Sequence, residues 1–462
     1  MDVAALAQLV PHAVLVTDEA ELSAYAGDWS SLSILQGLRG AVTPPAAVLR
    51  PHDARDIAAA LRWASDTGTP VVAGGGRSGV SGAVITHGGE LVLDLRTLDR
   101  VLDLDEVSGI VEVEAGVLGT ELEAWLNERG FTLGHFPQSV ALSTVGGWIA
   151  ARSAGQLSCG YGAVEDFLVA LTAALPDGSI ATSRLVPRTA AGIQLHELFL
   201  GSEGTLGVVT SAWLRVRRAA TARQFASLRF DSFAEGLEAV RRMAQDRALP
   251  DAVRVYDETD TTIQFRSFDP APTGAAAVLV TEDRGETEAS RRLKRAIRVG
   301  GGAPLAQDLA GHWWEHRNDA ASTYRQVLSG ELLGPDVAAD TIEVAGIWAR
   351  VPALYGAVKA ALAGHAEVVG CHCSHAYETG CALYFTFLLR AEDREAALAL
   401  AWRDALDAAV DSGGTITHHH GVGQLKAAWL AREMGGFAPY LGRVQQAFDP
   451  VGVMNPNTLR AT

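Results

Sequence analysis

The sequence predicts an α+β protein of two packed domains, and three observations carry that expectation. Its 462 residues, 48% hydrophobic and 20% charged, describe a globular chain too long for one ordinary core. Between about 44 and 215, short strand-like and helix-like runs alternate around a glycine-rich stretch. From 217 the texture changes to longer helices and strands with an antiparallel look, reading as a second α+β unit that reaches about residue 430. The domains expected are therefore 1–216, 217–430 and a loop-rich C-terminal segment, 431–462, lying near the first.

In chain order, 53–68 reads as a capped helix with Ile57, Leu61 and Ala64 on one face and Gly68 at its end. It delivers the chain to the apolar start of 70–82, and a second strand-like run follows at 91–95. Period-two alternation at 100–106 and 109–116 predicts a hairpin, and 120–129 a helix stopped by Gly130. The apolar tract 163–182, broken by Pro-Asp-Gly, reads strand, turn, strand. Beyond the charged, alternating 212–218, helices are expected at 230–245, 286–299 and 395–409, with strands at 276–281, 366–370 and 382–389.

A net charge of −16 argues against nucleic acid as a partner, although a local basic pocket for one small anion is allowed. No apolar run approaches the length of a membrane span, and the start of the chain lacks the basic and apolar regions of a secretory signal. Of four cysteines, three cluster at Cys371, Cys373 and Cys381, which is no disulfide framework. A cytoplasmic protein is expected.

The stretch Pro-Val-Val-Ala-Gly-Gly-Gly-Arg-Ser-Gly-Val-Ser-Gly at 70–82 carries the first chemistry. Successive glycines let backbone N–H groups converge on an anion. Gly74, Gly76 and Gly79 also fit the G-x-G-x-x-G dinucleotide pattern, but that reading needs an amphipathic helix directly after the glycines and none follows. A phosphate-cradling loop between strands is the expectation, against a glycine loop without a ligand. Glycines recur at 136–155, where Ser143 is a candidate N-cap ahead of Gly146 and Gly147, and at 201–209.

Downstream, Thr-Ile-Thr-His-His-His-Gly-Val-Gly at 415–423 holds three adjacent histidines. Read as a strand, it sends neighbouring rings to opposite sides, which suits proton transfer and anion binding better than a metal. The cluster at 371–381 lacks the second half of a zinc motif, and His-Trp-Trp-Glu-His at 312–316, an inverted metalloprotease pattern, reads as a helix turn with two tryptophans in an interface. No metal is expected.

Taken together, the glycine loop, the 137–152 tract, Tyr-Gly-Ala-Val-Glu-Asp at 161–166 and Gly-Ser-Glu-Gly-Thr-Leu-Gly at 201–207 resemble the FAD-binding domain of the vanillyl-alcohol oxidase superfamily. The resemblance implies a two-subdomain FAD-binding domain with an α+β substrate (cap) domain. It puts the pyrophosphate on Gly74, Gly75, Gly76, Arg77, Ser78 and Gly79. Further FAD contacts are implied for Pro137, Ser139, Thr144, Gly146, Gly147 and Arg152, for Tyr161, and for Glu203, Gly204, Gly207 and Val208. Some relatives attach flavin through a histidine in this loop or a cysteine before Val-Gly-Gly. Arg77 and Ala141 stand near those places, so non-covalent FAD is expected.

Within the superfamily the His-His-His-Gly-Val-Gly motif, Ser-Thr-Val-Gly-Gly-Trp at 143–148, Val-Arg-Val-Tyr-Asp at 253–257, Asp-Thr-Ile-Glu at 340–343 and Tyr377 resemble the alkyldihydroxyacetonephosphate synthase family. The resemblance implies redox-neutral chemistry: flavin N5 captures C1 of acyl-dihydroxyacetone phosphate after loss of a C1 proton, the fatty acid leaves, and a fatty alcohol replaces it. Tyr377, His418, His419 and His420 would lie at the reacting centre. Arg254 and Arg325 would take the phosphate, with Arg317 as substitute for Arg325. A lipid substrate implies peripheral membrane contact, and a homodimer is expected. The alternatives are a diverged flavin oxidase acting on another alcohol, or an FAD-dependent D-2-hydroxyacid dehydrogenase, similar to lactate or glycolate enzymes. That branch holds a metal with histidines and a glutamate where this chain has Ala382 and His419.

Overall fold

The computed structural model describes residues 1–283 and 288–460. Its first sheet orders strands Val14–Val16, Ala47–Arg50, Leu91–Asp94 and Val71–Gly74, the last three parallel. The helix Ala54–Thr67 makes the crossover: the Asp53 side chain caps the Arg55 and Asp56 amides, Gly68 closes it in the left-handed conformation, and Ile57, Leu61 and Ala64 are buried as expected. The glycine loop therefore leaves the C-terminal end of a parallel strand, and no helix follows it.

A second, antiparallel sheet orders Val101–Asp105, Ile110–Glu114, Val208–Arg215, Leu168–Ala174 and Ile180–Thr182. The last of these elements to be predicted differs in one detail: a helical turn, Val164–Phe167, precedes the Leu168–Ala174 strand. The C-terminal segment docks on the first sheet, where the Val71 amide donates to Val453 O and the Asn455 amide to Val71 O.

The third sheet has seven antiparallel strands in the order Ala303–Pro304, Ala222–Phe230, Ala275–Asp283, Ala252–Tyr256, Val368–Ala376, Gly380–Arg390 and Val337–Ile347. One face, with Val253, Val255, Cys371, Cys373, Leu383 and Phe385, is buried in a core with helices Phe233–Gln245, Val351–Ala363 and Arg394–Asp411. Three of the cysteines are spent there as small free apolar residues. The helix expected over 230–245 starts at Phe233, because Phe230 ends a strand and Ser232 caps the helix. Of that expected over 286–299, the described part runs Glu288–Gly300, and 286 and 287 lie outside the described residues.

The opposite face of this sheet carries the polar residues. Tyr256 pairs with His372, His372 with Tyr384, and Tyr384 with Glu343, so these side chains share that face. Strict alternation would send His375 to the core with Cys373. A bulge intervenes: Cys373 pairs with Leu383 but His375 with Ala382, leaving Ser374 unpaired. The bulge turns His375 onto the face of His372.

Two glycines test this packing in opposite directions. A Cβ on Gly76 would lie 1.6 Å from Leu142 O, so Gly76→Ala should cost about 1–3 kcal/mol in urea unfolding. Gly37, inside the helix Ser31–Leu38, has nothing within 4 Å of such a Cβ, and Gly37→Ala should gain about 0.5–1 kcal/mol.

Candidate functional site

The glycine loop packs on the start of the helix Val145–Ala151. A Cβ on Gly75 would lie 2.1 Å from Thr144 Oγ1, so only glycine permits the approach. Thr144 Oγ1 and Arg77 Nη1 are buried without a protein partner, and both border this loop. Buried orphan donors require a ligand or water, and a pyrophosphate supplies the matching acceptors. The residues present therefore fit FAD.

Several residues of that expected set also have partners within the protein. Thr144, rather than Ser143, is the N-cap, because Ser143 Oγ accepts from Trp148 Nε1 at 2.8 Å. The Gly146 amide donates to Ala115 O at 2.8 Å and its missing Cβ makes room for Ala115, while Gly147 faces outward beside Thr144 Oγ1. Pro137 and Ser139 form the turn before the helix, accepting from Val140 and from Leu142 and Ser143. Tyr161 is buried with its hydroxyl on Glu282, and Arg152 pairs with Glu165 at 3.2 Å. Glu203 is held at φ 48°. Its carboxylate accepts the amides of Val422 at 2.6 Å and Gly423 at 2.8 Å, pinning the chain just after the histidines. Gly207 lets the next strand, opening at Val208, pass Ala174 O. Arg77 donates to Ala24 O and lies over the Tyr25 ring.

The triple histidine is not a strand. Only Thr415 makes a bridge, to Ala345, and 416–422 has no regular structure. What shapes it is the fully buried Glu343. Its Oε1 accepts from Thr417 Oγ1 at 2.5 Å, the His420 amide at 3.1 Å and Lys426 Nζ at 3.3 Å, and its other oxygen accepts the His418 amide. Burial opposes ionisation of Glu343, but the Lys426 ammonium and the neighbouring imidazoles hold its carboxyl well below the usual range.

Bent in this way, the segment brings its rings together. Tyr377 OH meets His418 Nε2 at 2.6 Å, and His418 Nδ1 meets His419 Nδ1 at 2.9 Å. His375 stacks on His418 at 4.9 Å, with its Nδ1 on Ser158 Oγ at 2.7 Å. Burial lowers all four histidine pKa values, His420 to about 4. The rings are neutral at pH 7, so each has one N–H and one lone pair. The chain Tyr377–His418–His419 can then pass a proton either way by switching tautomers.

Among the described residues, ring nitrogens of His375, His418 and His419 lie within 4.8 Å of one another. The rings therefore do not diverge as a strand would require, and this set could hold a divalent cation. Sequence reasoning left His375 out of the set because the bulge at Ser374 has no sequence mark. It also missed Glu343 as the organiser. Arg254 reaches the same face and lies over Trp313 at 5.1 Å, whereas Arg325 is exposed over Trp29 and makes no hydrogen bond or ion pair with Arg254, Tyr377 or the histidines. Arg317, half-buried against Trp314, has an unpartnered Nε.

Comparison with known proteins matches residues 45–184 to the FAD binding domain and 219–459 to the C-terminal domain of FAD linked oxidases. Alkyldihydroxyacetonephosphate synthase of Trypanosoma brucei brucei is 30% identical over 90% of this chain and 73% of its own length. Glycolate oxidase subunit GlcD of Bacillus subtilis is 26% identical over 90% and 89%. In fold, the chain is similar to an alkyldihydroxyacetonephosphate synthase structure (TM-score 0.80, 23% identity, 96% and 82% coverage). It is also similar to 4-ethylphenol oxidase from Gulosibacter chungangensis (TM-score 0.77, 15% identity, 97% and 94% coverage). Among the described residues no helix is long and apolar enough to cross a membrane.

Two buried groups set opposite pH slopes. His420, lowered by burial to about 4 from 6.5, makes stability rise with pH between those values, by about 3 kcal/mol. Glu203, raised by burial to about 7 from 4.5, gives stability that is full below 4.5 and lost as pH climbs through 7. Urea midpoints between pH 4 and 7.5 should show the rise flattened in His420→Gln and the fall flattened in Glu203→Gln.

Proposed function

The chain belongs to the FAD-linked oxidase family, with a flavin domain of the vanillyl-alcohol oxidase type, and from that premise we propose that it is an alkyldihydroxyacetonephosphate synthase-like enzyme. It exchanges the acyl group of acyl-dihydroxyacetone phosphate for a fatty alcohol. The observation that carries this reading is the hydrogen-bonded chain from Tyr377 through His418 to His419, a proton-transfer device built on neutral groups.

FAD would be held by the loop Gly74, Gly75, Gly76, Arg77, Ser78 and Gly79 together with Thr144 and Gly147. The oxidised flavin supplies an electrophile for the substrate carbon. Arg254 binds the substrate phosphate with a permanently charged planar fork. His419, neutral through burial, accepts the C1 proton on a ring nitrogen. His418 and Tyr377 return a proton to the departing carboxylate or take one from the entering alcohol, and Glu343 fixes the backbone that carries these rings. One proton leaves C1 and one leaves the alcohol, one returns to C1 and one goes to the carboxylate, and one C1–oxygen bond replaces another, so the exchange requires no electron acceptor. Attachment of FAD is non-covalent, for neither Arg77 nor Ala141 offers an imidazole or thiol.

A second reading, a D-2-hydroxyacid dehydrogenase, is favoured by the convergent nitrogens of His375, His418 and His419. Anaerobic D-lactate, D-2-hydroxyglutarate or glycolate should leave the yellow flavin spectrum unchanged, and rapid bleaching would select the dehydrogenase. Labelled fatty alcohol should enter acyl-dihydroxyacetone phosphate without an electron acceptor. Tyr377→Phe and His419→Ala should each lower that rate at least about a hundredfold at unchanged flavin content. Acid precipitation should release all the flavin.

A further inference from the structure

We propose that Asp260 and His372 are positioning residues that aim Arg254 at the anionic group of the substrate while leaving its positive charge uncancelled. The inference rests on the reading of Arg254 as the anion's partner, and concerns residues which that reading leaves without a role.

Three groups stand in line. Arg254 Nη1 lies 3.1 Å from His372 Nε2, and His372 Nδ1 lies 2.9 Å from Asp260 Oδ2. Arginine only donates, so Nε2 must carry the lone pair and Nδ1 the proton, which it donates to Asp260. The carboxylate thus selects the tautomer that accepts from Arg254. Asp260 is itself fixed: Gln264 Nε2 donates to its other oxygen at 3.2 Å, and its amide donates to Asp257 Oδ1 at 2.8 Å, capping the helix Glu258–Gln264. His372 is 6% exposed and Asp260 1%. The imidazole lies between Tyr384, stacked at 5.1 Å and 20°, and Tyr256 at 5.2 Å, so the ring cannot swing.

The interposed ring explains what a direct carboxylate would not. A carboxylate forked against Arg254 would hold it as firmly but would cancel the charge that an anionic ligand needs. A neutral imidazole takes one N–H and leaves the charge. Among the described residues no carboxylate is in ion-pair contact with Arg254. Burial keeps His372 neutral by lowering its pKa despite Asp260. The Arg254 charge reaches the proton-transfer cluster, adding to burial, His418 and His419 in depressing His375. The cation thus stands beside those rings, on the sheet face they share.

The test is a double-mutant cycle on the FAD-loaded protein, titrated calorimetrically with dihydroxyacetone phosphate. Arg254→Ala should weaken binding at least about tenfold. His372→Phe, which keeps the stacked ring but removes the acceptor, should weaken it about five- to tenfold when Arg254 is present and less than about twofold in the Arg254→Ala background. His372→Gln, which restores an acceptor oxygen, should recover most of the loss, and Asp260→Ala should behave like His372→Phe. For the His372 and Asp260 variants, turnover at saturating substrate should change less than about twofold, so that their loss appears in KM. Equal losses in both backgrounds, or none, overturn the proposal.

If Arg254→Ala leaves dihydroxyacetone phosphate binding unchanged, the phosphate reading fails instead. The same cycle with glycolate then decides whether the relay aims Arg254 at a carboxylate, and indifference there too overturns the positioning role. Independently of any ligand, ¹⁵N spectra of histidine-labelled protein should show His372 Nε2 without a proton. A protonated Nε2 overturns the proposed tautomer.

Discussion

One buried carboxylate, Glu343, organises the candidate site of this protein. An ionised carboxylate without solvent is tolerable only when its oxygens are filled, and Glu343 fills them with Lys426 and with the side chain and backbone of the segment that holds the histidines. That segment has no regular structure to hold it. The charge pair replaces the ladder or helix that would otherwise fix three adjacent imidazoles.

A second carboxylate ties this arrangement to the flavin domain. Glu203 leaves the glycine-punctuated entry of a flavin-domain strand and binds the two amides that follow the histidines, while Asn455, from the chain terminus, donates to Glu203 O at 2.7 Å. Three distant parts of the sequence thus meet at one residue in the left-handed conformation. The flavin domain and the histidine segment are set relative to each other by hydrogen bonds to backbone, at a place where Gly423 has no room for a Cβ beside Ser81 O.

The flavin domain was largely legible in the sequence, because its function is written in residues with few alternative uses. Gly75 and Gly76 announce close approach by lacking a side chain, and Asp53 and Gly68 announce both ends of a helix. The cap site was legible in its members but not in its geometry. Tyr377 and the three histidines stood out by chemistry, yet reading 415–420 as a strand spread their rings apart, since no local pattern reports that a remote Glu343 bends the chain. The partners of Glu203 and Tyr161 were not legible for a related reason. Each lies in a flavin-domain motif, but its polar end is used by the other domain, a choice that only tertiary packing makes. The Asp260–His372 pair was invisible because it joins a helix to a strand more than a hundred positions away.

The unpaired Ser374 decides which residues can meet the flavin side at all. Since the strand alternates, His372 and His375 share a face only because the number of residues between them is one more than regular pairing allows. The identity of Ser374 is secondary to its being left out of the ladder. Substitution at this position is therefore a mild event for the site, while taking the residue up into regular pairing would shift the register beyond it by one and turn His375 to the core face.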